Sequence, residues 1–282
     1  MVFNRLSILG VGLLGGSIGL AVKSIAKSCQ IVGYGHRDAS IGKALAMGAI
    51  DRGFASARQA VQDAALVLVC TPVGTFQSIF QEIANSLSPG AIVTDVGSTK
   101  RSAVRLAEEL LPGHVRFVGS HPMAGSEKRG VESARADLFN GATCVVTPTD
   151  RTDPQALGAV EEFWRELGMT ITRCSPEEHD RLVGSISHLP HALAAALVRI
   201  QNPQAIALAG KGFLDTTRIA AGDPGLWRDI LIDNADNVRA AIDVLQAELS
   251  NLKSLLDPTA HEQLRAWLES AASARKQLSS EP

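Results

Sequence analysis

Several polar residues in this chain are of types that move protons or hold anions, and each falls near the boundary of an expected element. His121 follows the apolar run Val115 to Val118, so a strand there carries it to the carboxyl edge of a sheet, where open α/β folds bind ligands. An imidazole in that place can act as a proton acceptor toward a bound ligand. The plain alternative is a loop histidine bonded to backbone. Ser98 also follows a strand-like run, Ala91 to Thr94, and could serve simply as a helix N-cap. Ser187, His188 and His191 share one helical stretch, with Ser187 and His191 four apart on the same face. No third ligand at suitable spacing accompanies them, so no metal site is expected. Arg218 ends the loop-like stretch Asp215 to Arg218, and its guanidinium suits bidentate capture of a carboxylate. An interdomain salt bridge is the competing reading.

A second group of residues has the spacing of a phosphate cradle. Gly10-Val11-Gly12-Leu13-Leu14-Gly15 is a GxGxxG that directly follows an apolar strand and opens a helix. In that context Gly10 permits the tight turn, Gly12 lets the backbone approach a pyrophosphate, and Gly15 lets helix and strand pack closely. The helix N-terminus adds free N–H groups and a positive dipole end. A structural turn in an unrelated α/β fold is the alternative. The next strand ends in Tyr34-Gly35-His36-Arg37-Asp38. The acidic residue that would meet a free ribose 2′-hydroxyl is expected close to Gly35. Arg37 favours a 2′-phosphate and hence NADP, whereas Asp38 could serve NAD if the turn is tighter. His36 is counted with them, as are Thr71 and Pro72, which halt the run Ala64 to Cys70.

The elements that must position these groups alternate through the first half. Apolar runs at Leu6 to Leu9, Ile31 to Tyr34, Ala64 to Cys70, Ala91 to Thr94, Val115 to Val118 and Thr143 to Thr147 are separated by polar, mostly helix-capable stretches. The first such helix runs from about Leu14 to Ser28. That alternation implies a parallel sheet covered on both faces. Near Thr172 the pattern changes. Pro176 to Gln201 reads as one long helix with a kink at Pro190, and Pro224 to Leu256 as another, opened by Asp223-Pro224. Ala260 to Leu278 reads as a last amphipathic helix, followed by a loose tail, Ser279 to Pro282. The expected architecture is thus α/β: a Rossmann-type domain over 1–172 and an all-helical domain over 173–282. The helical half is short and rich in apolar positions, which favours a homodimer.

Composition narrows the class. With 282 residues and 45% hydrophobic content the chain can bury a sizeable core, and its net charge of −2 argues against a nucleic-acid or polybasic membrane partner. Cys29, Cys70, Cys144 and Cys174 show no CxxC spacing and read as small apolar residues in a reducing compartment. No stretch approaches the roughly 20 apolar residues of a membrane span. Met1 to Arg5 leads straight into a strand, so no leader is expected. A cytoplasmic protein follows.

Taken together, these segments resemble the prephenate/arogenate dehydrogenase family of tyrosine biosynthesis. The likeness is carried by Gly10 to Ser17, by Thr94-Asp95-Val96-Gly97-Ser98-Thr99-Lys100 and by His121-Pro122-Met123-Ala124-Gly125-Ser126-Glu127. It continues through Ser187-His188-Leu189-Pro190-His191, Thr217-Arg218-Ile219-Ala220 and Trp227-Arg228-Asp229-Ile230. The resemblance implies a Rossmann-type domain followed by a helical dimerisation domain, and an oxidative decarboxylation with NAD or NADP. It makes His121 the catalytic histidine and Ser98 the partner that orients it or the substrate hydroxyl. It gives His191, and with less force His188, to substrate binding, and Arg218 to the substrate carboxylate. Trp227 reads as packing under the Arg218 loop. No room is expected for the chorismate mutase or ACT domains that some members carry. Two other readings stand beside it. A β-hydroxyacid dehydrogenase or pyrroline-carboxylate reductase shares the architecture, but the first typically relies on a helical lysine, and none lies near the Ser187 helix. A non-catalytic dinucleotide sensor would not need His121, His191 and Arg218 together.

Overall fold

The computed structural model describes residues 3–125 and 128–278. Ser126 and Glu127 of the His121 motif, and the tail Ser279 to Pro282, lie outside the described residues.

Eight strands form one sheet: β1 Arg5–Leu9, β2 Gln30–Tyr34, β3 Arg52–Phe54, β4 Leu66–Val69, β5 Ile92–Asp95, β6 Arg116–Pro122, β7 Thr143–Thr147 and β8 Thr170–Arg173. Their order is β3-β2-β1-β4-β5-β6-β7-β8. From β3 to β6 all neighbours are parallel, joined by helical crossovers as parallel pairing requires. Alternation along β4 shows why the central strands read as unbroken apolar runs. Leu66 and Leu68 enter one core, and Val67 and Val69 enter a second core on the opposite face.

The structure corrects the expectation of a wholly parallel sheet, because β7 runs antiparallel to β6. Among its described residues, the chain between them forms the short 3-10 turn Val131–Ser133 and no long crossover helix. β6 also extends past Val118, so His121 sits inside the strand rather than after it. Polar Ser120 continues the strand because every demand it makes is met. Its amide donates to Asp95 Oδ1 (3.1 Å) and its hydroxyl to the Asp95 carbonyl (2.6 Å), while the Trp164 indole donates to its oxygen (3.1 Å). Short β3 and the polar edge strand β8 lack an apolar run that would announce them.

Two long-helix expectations also change. The Pro176 stretch is Pro176–Val183, a wide π turn over Gly184–His188, then Leu189–Arg199. Proline at 190 has no N–H for the preceding turn, and the irregularity precedes it rather than forming a simple kink at it. The Pro224 stretch breaks at Asn234 into Pro224–Asp233 and Ala235–Leu255. Asn234 is fully buried and turns its amide onto the Asp180 carbonyl (2.7 Å) and His188 Nδ1 (3.0 Å). Asp223 caps Pro224–Asp233 by accepting from the Leu226 amide, as expected. Short helices Pro203–Ala207 and Lys211–Thr217 carry no apolar period long enough to read.

The chain divides into two compact units between Ala235 and Asp236. In the second, helices Ala235–Leu255 and His261–Leu278 are tied by the Trp267 indole donating to Glu248. All four cysteines are free; Cys29 and Cys144 are buried, Cys70 and Cys174 half-buried.

Candidate active site

The sheet order reverses direction between β1 and β4, which opens a crevice at their carboxyl ends. Gly10 has φ 107°, and a Cβ there would lie 2.8 Å from the Cys70 carbonyl carbon. Only glycine lets the β1 turn pass this close to the end of β4. Gly12 is the opposite case. It lines the cleft, and nothing lies within 4 Å of where its Cβ would sit, so the open space is where a phosphate can meet bare backbone. Gly15 brings helix Leu13–Ile25 down onto Ile8. This cradle fits a dinucleotide pyrophosphate.

A cleft of about 1010 Å³ extends from the cradle. Leu13, Leu14, Thr71 and Pro72 line its cofactor side, together with Arg37. Arg37 is exposed, and its guanidinium makes no hydrogen bond or ion pair among the described residues. Asp38 instead occupies the first turn of helix Asp38–Ala46, where a carboxylate complements the helix dipole. His36 is exposed beside Tyr34, whose hydroxyl is 3.2 Å from its Nδ1. Neither residue lines the cleft.

His121 and Ser98 line the same cleft, with Ser187, Arg218 and Trp227 from the helical part of the chain. Arg218 stands on the 3-10 turn Arg218–Ala221, not in a loop. Trp227 does more than pack under this turn. It lines the cleft and stacks flat on His191, with centroids 3.5 Å apart and planes 9° from parallel. Burial lowers the His191 pKa, and its Nδ1 is buried without a hydrogen-bond partner among the described residues. Neither His191 nor His188 is among the residues that line the cleft. His188 lies deeper. It is fully buried, accepts from Asn234, and is pushed down to about 4, mainly by burial. Among the described residues five cations line the cleft (Arg37, Lys128, Arg129, Arg218, Arg228) against two carboxylates, Asp223 and Asp229, a balance that suits anionic ligands.

Ser98 is not a helix cap. The N-terminus of helix Arg101–Leu110 is capped by Asp180, whose carboxylate accepts from the amides of Lys100 (2.7 Å) and Arg101 (3.0 Å). Ser98 lines the cleft, and its hydroxyl makes no hydrogen bond among the described residues.

Sequence reasoning did not find the residues behind His121. His179 Nε2 is 2.9 Å from His121 Nδ1, and His179 Nδ1 is 2.8 Å from Asp180 Oδ1. The adjacent pair His179-Asp180 on an acidic helix gives no motif; only the fold carries it to β6. Below them Lys100 and Asp95 form an ion pair with both side chains at 0% exposure. Asp95 also accepts from the amides of Gly97 (2.8 Å) and Ser120 (3.1 Å), the neighbours of Ser98 and His121. Burial pushes the His121 pKa well below the ordinary imidazole value, and His179, Lys100 and His188 push the same way.

Two family models match the chain: prephenate dehydrogenase, nucleotide-binding domain, over residues 18–173, and prephenate dehydrogenase, dimerization domain, over 175–270. Prephenate dehydrogenase of Bacillus subtilis (strain 168) is 36% identical over 282 residues, covering 98% of this chain and 76% of that protein. Cyclohexadienyl dehydrogenase of Zymomonas mobilis is 32% identical over 263 residues, covering 90% of this chain and 89% of that one. A crystal structure of prephenate dehydrogenase from A. aeolicus, in complex with hydroxyphenyl propionate and NAD+, matches with a TM-score of 0.92. It is 36% identical and the match covers 99% of each chain.

Proposed function

The chain belongs to the prephenate dehydrogenase family, and from that premise we propose that it oxidatively decarboxylates prephenate or arogenate in tyrosine biosynthesis. The observation that carries this reading is one cleft that joins the Gly12 cradle to His121, Ser98 and Arg218. Gly10 to Gly15 would hold the nicotinamide dinucleotide, which would supply the hydride acceptor. His121 takes the proton of the ring hydroxyl as its carbon becomes a carbonyl. The Ser98 hydroxyl positions that hydroxyl or the imidazole. Arg218 pairs with a substrate carboxylate, and His191, stacked flat on the cleft-lining Trp227, contributes to substrate binding from beside that ring. Loss of carbon dioxide then aromatises the ring and draws the reaction forward.

Arg37 selects NADP. Its unpaired guanidinium lines the cleft beyond the end of β2, and Gly35 stands where an NAD-specific carboxylate is expected. Residues 1–172 hold the dinucleotide, and 173–282 hold the substrate and form a homodimer, consistent with exposed Ile186, Ile200, Leu208 and Ile232. No helix among the described residues is long and apolar enough to cross a membrane, and we place the enzyme in the cytoplasm.

The test is a two-by-two assay of prephenate or arogenate with NAD or NADP, following reduced nicotinamide. Turnover is expected, with the higher kcat/KM for NADP. Arg37→Ala should lower kcat/KM for NADP roughly 10–100-fold, the equivalent of a charge-assisted hydrogen bond, and leave NAD little affected. A wild-type preference for NAD contradicts the role given to Arg37. Silence in all four combinations, with folded protein that still binds a dinucleotide, contradicts the reaction.

A further inference from the structure

The hydrogen bonds behind His121 determine which of its nitrogens can act as a base. The Asp180 carboxylate, 1% exposed, only accepts. It takes the amides of Lys100 and Arg101, Arg101 Nε (3.3 Å) and His179 Nδ1 (2.8 Å). Burial opposes its charge, but the bonds from His179, Arg101 and Lys100 outweigh that, and its pKa lies below the ordinary carboxylate value. His179 therefore carries a proton on Nδ1. Burial holds His179 neutral, and Lys100 adds to that against the pull of Asp180 and Asp95. A neutral imidazole protonated at Nδ1 has a bare Nε2, which can only accept. The atom 2.9 Å from it, His121 Nδ1, must then be the donor.

We propose that Asp180 and His179 are positioning residues that lock His121 in the Nδ1–H tautomer, leaving its Nε2 as the atom that takes the substrate proton. The inference rests on the reading of His121 as proton acceptor. His121 Nε2 makes no hydrogen bond among the described residues, and the residue lines the cleft. As the substrate O–H bond breaks, its proton moves to Nε2 and its electron pair enters the forming carbonyl. His121 becomes an imidazolium whose Nδ1–H points at His179, and the charge is balanced through His179 by the carboxylate of Asp180. Among the described residues, the other charged or titratable groups around the pair include Lys100, whose ammonium is engaged by Asp95 and the Ser120 carbonyl, Arg101, His188 and the Cys144 thiol, which bonds to the His121 backbone. None of them presents an acceptor to His121 Nδ1, so the tautomer depends on His179.

The experiment is a long-range ¹H–¹⁵N spectrum of histidine-labelled full-length protein near pH 7.5, with His121 identified by the signals lost in His121→Asn. The expected spectrum shows His121 protonated at Nδ1 and bare at Nε2. In His179→Phe, which offers no acceptor, the Nε2–H form should appear. There kcat should fall roughly 10–100-fold with substrate KM within about twofold. His179→Gln, whose side-chain oxygen can accept from His121 Nδ1, should restore most of both. A wild-type His121 protonated at Nε2, or a His179→Phe enzyme with unchanged kcat, overturns the inference. If His179→Phe does not fold, the wild-type spectrum and His179→Gln decide. An inactive His121→Asn together with the wrong wild-type tautomer overturns the positioning role alone. A fully active His121→Asn overturns the assignment beneath it.

Discussion

His121→Asn should lower kcat by roughly 10²–10⁴-fold, the usual contribution of a positioned general base, with dinucleotide affinity unchanged. The separation is expected because the groups stand on different strands. The cradle is built at the end of β1, and His121 sits within β6. The wild-type pH profile should carry the same signature. Burial, reinforced by His179, Lys100 and His188, depresses the His121 pKa, so the base is already neutral at pH 7. Activity lost by protonating it should therefore fall away only on the acid side, below the ordinary imidazole pKa of about 6.5. This acid limb of kcat/KM should be absent from any residual activity of His121→Asn. A variant with wild-type kcat, or an acid limb above about 6.5, contradicts the role.

Lys100→Met should destabilise the fold by about 3–5 kcal/mol, read as a lower urea midpoint with an unchanged slope. The large effect comes from what is left behind, not from the attraction lost. Asp95 would remain a fully buried carboxylate without its counter-ion. Its two backbone partners, Gly97 and Ser120, adjoin Ser98 and His121, so residual activity should fall as well. Asp95→Asn added to Lys100→Met should recover part of the stability, since the amide carries no charge and its oxygen still accepts. A Lys100→Met protein within about 1 kcal/mol of wild type contradicts this account of the ion pair.

How much of this could be read beforehand depends on whether a feature is local. The Gly10 to Gly15 turn and the strands β1, β2 and β4 are local, and their glycines and apolar runs announce them. The antiparallel β7 is not local. It follows from a connection that forms no crossover helix among its described residues, which the run Thr143 to Thr147 does not encode. The polar end of β6 was hidden because Ser120 is satisfied by Asp95 and Trp164, which are 25 and 44 residues away. His121, Ser98 and Arg218 could be singled out by residue type and resemblance, and the fold brings them to one cleft. His188 shared the same motif, yet the helical turn over Gly184–His188 carries it inward to Asn234. His179 and Asp180 were illegible because an imidazole beside a carboxylate on a helix is ordinary, and their meaning lies 58 and 79 residues away, at His121 and Arg101.

The central claim is that proton removal, hydride transfer and decarboxylation are one reaction in this cleft. It is tested most directly with prephenate or arogenate labelled in the ring carboxylate, counting released carbon dioxide against reduced nicotinamide. The account predicts equal amounts of both from the start of turnover, with both lost in His121→Asn. Reduced nicotinamide accumulating without carbon dioxide, or carbon dioxide released without reduction, would contradict it.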